Sequence, residues 1–190
     1  VHNPRGALLA ALWLTTFYCV FVMRRAMPSA ARIRWDWQAL NDTSLMKPIM
    51  LRFAFSAALM ALGTILFASE KLFGFLLEKP LIWAAVMVLY PILSVIPQEI
   101  IFRSFFMERY RVLFPKQSAL FLASGLAFGL AHIMFHNWVA PLLCVVGGVY
   151  FAKTYANRPS LALVVFEHAL YGCFLFTLGL GQYFYHGAVH

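Results

Sequence analysis

Six runs of this sequence are apolar for roughly the 20 residues that a helix rising 1.5 Å per residue needs to cross a hydrocarbon layer about 30 Å thick. They are Gly6 to Met23, Ile49 to Ala68, Leu81 to Tyr110, Ser118 to Phe135, Trp138 to Tyr155 and Ser160 to Leu180. A backbone in lipid must satisfy its own N–H and C=O groups, which leaves helices or a closed barrel. The alternating ten-residue segments of barrel strands are not found in the sequence. The expected fold is therefore all-α, an integral membrane bundle of about six transmembrane helices. Composition agrees: 63% of residues are hydrophobic and 12% charged, too few charges to cover a water-facing surface. The chain starts at Val1, and the first run is long for a signal peptide and lacks a small-x-small site before Arg24-Arg25. It is expected to be a retained spanning helix.

Pro28, Asp42-Thr43-Ser44, Lys79-Pro80, Pro115 and Asn157-Arg158-Pro159 punctuate the runs. The net charge of +8 lies between the runs and not in one patch, which argues against nucleic acid as a partner. If the helices alternate, the connections after the first, third and fifth carry 12 of the 15 Lys and Arg residues, among them Arg24, Arg25, Arg32, Arg52, Lys116 and Arg158. Arg5, Lys71 and Lys79 fall on the other side. By the positive-inside rule the rich side is cytoplasmic and both termini face out. The expected location is a multi-pass protein of a bacterial inner (plasma) membrane. Trp35, Trp37 and Trp138 suit an interfacial belt. Cys19, Cys144 and Cys173 sit inside apolar runs and read as small buried hydrophobes.

An ionisable side chain in a spanning segment costs several kcal/mol unless paired or wet, so each one marks a candidate site. The third run holds Pro97-Gln98-Glu99-Ile100-Ile101-Phe102-Arg103, the fourth ends in Phe128-Gly129-Leu130-Ala131-His132 with His136-Asn137 following, and the sixth holds Glu167-His168. Counted from their cytoplasmic ends, Glu99, His132 and His168 lie about 14, 18 and 9 residues deep, within a turn or two of one another. Glu99 and Arg103 are four apart and predicted to pair on one helix face. His132 and His136 have the same spacing, with which one face can offer two imidazoles to a divalent metal such as zinc. A metal-free site is favoured, because His136 lies a turn too shallow.

In this order, the Glu/Arg helix, the Phe-xxx-His helix and the later buried histidine resemble the CAAX-processing and bacteriocin-processing family of intramembrane proteases, the CPBP or Abi family. Its motifs are Glu-Glu-xxx-Arg, Phe-xxx-His and His-xxx-Asn. Phe128 to His132 matches the second fully, Glu99 with Arg103 most of the first, and His168 the start of the third. Gln98 stands where the family has its first glutamate, and Gly172 where it has the asparagine. The resemblance implies a protease-like core over residues 81–190, preceded by two N-terminal helices and a cytoplasmic loop in residues 1–80. It also implies hydrolysis of a peptide bond in a membrane-associated or lipidated protein, with Glu99, Arg103, His132, His168 and Gln98 as the catalytic set. A glutamine can hold a water but cannot take its proton, so Glu99 is expected to be the base, with Glu167 as the fallback carboxylate.

Two other readings use the same residues. A non-catalytic member of the fold, an immunity or scaffold protein, accommodates Gln98 and Gly172. A proton-coupled transporter would use Glu99 and the histidines as a relay, but calls for repeats between the halves that the sequence does not show.

Overall fold

The computed structural model describes residues 4–27 and 33–184; Pro28 and Arg32, assigned above to the first cytoplasmic connection, lie outside them. Six helices are long and apolar enough to cross a membrane. The first is Pro4–Ala26, the second Thr43–Phe67, the third Pro80–Leu113, the fourth Gln117–Phe135, the fifth Val139–Asn157 and the sixth Leu161–Leu178. Among the described residues there is no strand. Phe17, Leu51, Phe67, Leu81 and Leu142 present large apolar side chains outward, as lipid favours. The chain is an integral, multi-pass membrane protein.

The alternation of sides follows from contacts between connections. The Leu161 amide donates to the Arg34 carbonyl at 2.8 Å and Ser160 Oγ to the Asp36 carbonyl at 2.9 Å, joining the connections after the first and fifth helices. At the other face the Phe73 amide donates to the Leu178 carbonyl at 3.3 Å, and Asn137 Nδ2 to the Tyr183 carbonyl at 2.8 Å. Asn137 also accepts from the Ala140 amide at 2.9 Å, so it staples the turn that leads into the fifth helix.

The second helix starts well before its apolar run. Asp42 caps it, accepting from the Ser44 amide at 2.9 Å, so polar residues fill its first turns. Arg52, assigned above to a loop, therefore lies inside the helix. The fourth and fifth helices are in close contact because Gly125, Gly129 and Gly148 carry no side chain; a Cβ on Gly148 would lie 2.8 Å from Gly125 Cα. Ser160 caps the sixth helix, and Gly179 ends it with φ 100°.

The third helix is not one continuous α-helix. Two π-helical stretches, Pro91–Val95 and Ile100–Phe105, flank the short α-helical segment Ile96–Glu99. The prolines give a reason, since each lacks an N–H and crowds the carbonyl four residues back. Those carbonyls are met from other helices. Trp13 Nε1 of the first helix donates to the Leu93 carbonyl at 3.0 Å, and Cys173 Sγ of the sixth lies 3.9 Å from the Met87 carbonyl. Wide turns of this kind re-aim side chains and concentrate at functional sites.

Candidate active site

Glu99 ends the α-helical segment between the two π stretches, and its side chain is fully buried. On one side its Oε2 meets Arg103 Nε at 3.1 Å, the pair expected from the spacing. On the other its Oε1 accepts from His168 Nδ1 of the sixth helix at 2.7 Å. Arg103 is equally buried. Its Nη1 donates to Ser124 Oγ at 3.1 Å, and its guanidinium lies 5.3 Å and 5.6 Å from the ring centroids of Phe128 and Phe151. The carboxylate and the guanidinium carry opposite charges, and such pairing is what a buried ionisable group needs in a low-dielectric bundle.

The His168 ring stacks on Phe151 with centroids 4.7 Å apart and meets the edge of Phe128 at 5.4 Å. Because Nδ1 donates to a carboxylate, neutral His168 carries its lone pair on Nε2, and that atom accepts from the Tyr90 hydroxyl at 3.2 Å. Tyr90 was not singled out from the sequence. Its signal is a phenol in an apolar run directly before Pro91.

Gln98 and His132 flank this network without joining its hydrogen bonds. Gln98 Nε2 donates to Ser94 Oγ at 2.7 Å, one turn back on the same helix. Its buried Oε1 has no partner among the described residues. His132 Nδ1 donates to the Phe128 carbonyl at 2.8 Å, and the Phe128 ring packs on both imidazoles, at 4.7 Å from His132. The lone pair of neutral His132 is thus also on Nε2.

The expected His132/His136 pair does not form on one helix face. The α-helix ends at Leu130, a 3-10 turn follows, and His136 is exposed with φ 54°, in the left-handed region. A protein zinc site takes three or four such ligands. Among the described residues no three His, Cys, Asp or Glu side chains converge in that way.

Glu167, next in sequence to His168, points elsewhere. Arg52 Nη2 donates to its Oε1 at 2.8 Å and to Thr154 Oγ1 at 2.7 Å, forming a second ion pair, half-buried on the arginine side, between the second, fifth and sixth helices. A small pocket lined by Ser44, Pro48, Arg52, Thr154 and Asn157 opens beside Arg52. The chemistry, not the pocket, locates the candidate site.

The model of a family described as type II CAAX prenyl endopeptidase Rce1-like matches residues 79–174, about half of the chain. That stretch contains Tyr90, Gln98, Glu99, Arg103, His132, His168 and Gly172. No curated protein and no solved structure is significantly similar to the chain.

Proposed function

Because the chain belongs to the Rce1-like family of type II CAAX prenyl endopeptidases, we propose that it is an intramembrane endopeptidase that hydrolyses a peptide bond of a membrane-associated or lipidated protein. The reading also puts it in a bacterial inner membrane, with the connections after the first, third and fifth helices, rich in Lys and Arg, facing the cytoplasm. The observation that carries it is the 2.7 Å bond between two side chains, Glu99 and His168, that a spanning bundle has no structural need to bury.

Peptide hydrolysis needs a group that takes a proton from water and returns it to the leaving amine. Gln98 can orient a water through its unpartnered Oε1 but has no basicity, so the proton must go elsewhere. Glu99 and His168 supply the acceptor as a unit. The carboxylate holds the Nδ1–H, fixes the tautomer and stabilises the imidazolium that forms when Nε2 is protonated. Arg103, 3.1 Å from Oε2, holds the Glu99 carboxylate in place. His132, with its lone pair on Nε2, orients water and does not donate to an oxyanion.

A second reading has one specific observation in its favour. Glu99 Oε1 is hydrogen-bonded to His168 and Oε2 is ion-paired with Arg103, as they would be in a bundle that binds a protein partner and performs no chemistry. Protein in nanodiscs, offered prenylated and plain fluorogenic peptides, separates the two. Cleavage by wild type that disappears in His168→Asn, with the unfolding temperature retained, supports the endopeptidase. A wild type that cleaves none of them, yet retains a partner protein, supports the non-catalytic reading.

A further inference from the structure

We propose that Tyr90 is the substrate-side member of the proton path, relaying the proton between the reacting water and His168; this rests on the endopeptidase reading above. Three observations meet at this phenol. Its hydroxyl is the hydrogen-bond partner of His168 Nε2, at 3.2 Å, on the opposite ring nitrogen from Glu99. It is placed there by the turn at Pro91, which ends the Pro80–Tyr90 segment and opens the first π-helical stretch. And it is admitted by Gly172, because a Cβ on that residue would overlap the Tyr90 hydroxyl and the ring carbons beside it.

Gly172 is one helical turn beyond His168, on the same face of the sixth helix. A side chain there would reach into the volume that the phenol occupies. The glycine and the tyrosine are therefore one device: the sixth helix gives up a side chain so that the third can place a hydroxyl against the imidazole. The Tyr90 ring is fixed as well as admitted, lying edge-on to Phe176 with centroids 5.3 Å apart.

A phenol hydroxyl is donor and acceptor at once. While it donates to His168 Nε2 its oxygen retains a lone pair for a water hydrogen. In the attacking step the water O–H bond breaks as its oxygen bonds to the scissile carbonyl carbon. The water proton passes to Tyr90 Oη as the Tyr90 proton passes to His168 Nε2. The imidazolium, held by Glu99, then returns a proton along the same path to the leaving nitrogen as the C–N bond breaks. Atoms and charge balance without a co-reactant, and Tyr90 ends each turnover as it began.

The test combines turnover with a spectroscopic readout. Tyr90→Phe keeps the ring and removes the hydroxyl; kcat is expected to fall at least about 100-fold with KM within about threefold, as for loss of an acid–base group. Gly172→Ala, with Tyr90 intact, is expected to fall comparably by displacing the phenol. The double variant should be no worse than either single one, since both remove the same contact. Replacing Tyr90 with 3,5-difluorotyrosine, which keeps the shape and makes the phenol more acidic, should move the pH profile of kcat, a shift that mere packing would not produce. The 15N resonances of His168 should change between wild type and Tyr90→Phe whether or not a peptide is cleaved. If wild type cleaves and Tyr90→Phe cleaves as fast, the relay is overturned and the endopeptidase stands. If wild type cleaves no peptide, the endopeptidase reading fails and the relay falls with it, even where the His168 resonances confirm the hydrogen bond.

Discussion

Glu99 and His168, 69 residues apart in sequence, share a 2.7 Å hydrogen bond at the centre of the bundle, and Arg103 closes the other side of the carboxylate at 3.1 Å. On the proposed reading function and stability are coupled at this point, because the carboxylate that meets the imidazole is also the partner of a buried guanidinium.

Glu99→Gln separates the two. It leaves Arg103 without its counter-charge, and breaking a buried pair from one side costs about 3 kcal/mol or more. Glu99→Gln with Arg103→Met removes both charges and is expected to regain most of the lost unfolding temperature. Neither variant should cleave a peptide. Thermal unfolding in one detergent, set beside cleavage rates, checks both halves, and an active double variant would remove Glu99 from the proton path.

Chelation is expected to leave cleavage unchanged. His136 sits beyond the helix end in a left-handed conformation, and His132 Nδ1 is committed to the Phe128 carbonyl. His136→Ala should likewise keep wild-type activity within about twofold, whereas removal of one ligand of a catalytic zinc typically costs far more. Loss of cleavage in a strong chelator, restored by added zinc, would reverse the conclusion.

Packing of the fourth helix on the fifth gives a paired test on two glycines. A Cβ on Gly125 would lie 2.7 Å from Val149 Cγ2 and 2.8 Å from the Val145 carbonyl, whereas one on Gly63 meets nothing within 4 Å. Gly125→Ala is expected to cost about 1–3 kcal/mol through overpacking. Gly63→Ala, in the interior of the second helix, should be neutral or gain up to about 1 kcal/mol from helix propensity. Opposite shifts in unfolding temperature are the expected result.

Much of this was readable in the sequence because membrane thickness converts residue number into depth. The counts from each cytoplasmic end put Glu99, His132 and His168 at similar depth, of which Glu99 and His168 share a hydrogen bond while His132 lies beside them, bonded to the Phe128 carbonyl, and the four-residue spacing was enough for Glu99 and Arg103. What escaped was whatever depended on departures from an ideal helix. The π turns around Pro91 and Pro97 rotate the third helix in ways a 3.6-residue period does not encode, so Tyr90 remained invisible as a partner of His168. The helix end at Leu130 broke the His132/His136 spacing for a related reason. Arg52 was misplaced in a loop because its partner, Glu167, is 115 positions away and no local signal joins them.

The connection after the first helix supplies a pH dependence. Arg158 Nε donates to Asp36 Oδ2 at 2.9 Å, and this hydrogen bond holds the Asp36 carboxyl below the usual carboxylate range. A carboxyl that is more acidic folded than unfolded stabilises the fold fully above its unfolded value, about pH 4, and loses that contribution as pH falls through the lower folded value. Asp42, held down by its hydrogen bonds from Ser44, acts in the same direction. The unfolding temperature of wild type should therefore decline from about pH 5 to about pH 3, and Asp36→Asn should decline less. Both partners are partly exposed, so about 1 M salt should shrink the difference. Equal declines at low salt would mean that the pair contributes nothing to the fold.

The first helix lies outside the matched stretch, yet one of its side chains supports the segment that carries Glu99. Pro97 cannot donate to the Leu93 carbonyl, and Trp13 Nε1 does so instead at 3.0 Å. Without that donor the carbonyl has no water to turn to in lipid, and the wide turn before Gln98 and Glu99 loses its brace. Trp13→Phe keeps an aromatic ring and removes the N–H. It is expected to cost about 1 kcal/mol, the usual size of a hydrogen bond between membrane helices, and to lower kcat through misplacement of Glu99. Pro97→Ala restores a backbone donor at that position, so adding it to Trp13→Phe should recover stability while straightening the helix and leaving activity low. Recovery of both together would mean that the wide turns around Glu99 are incidental to the chemistry.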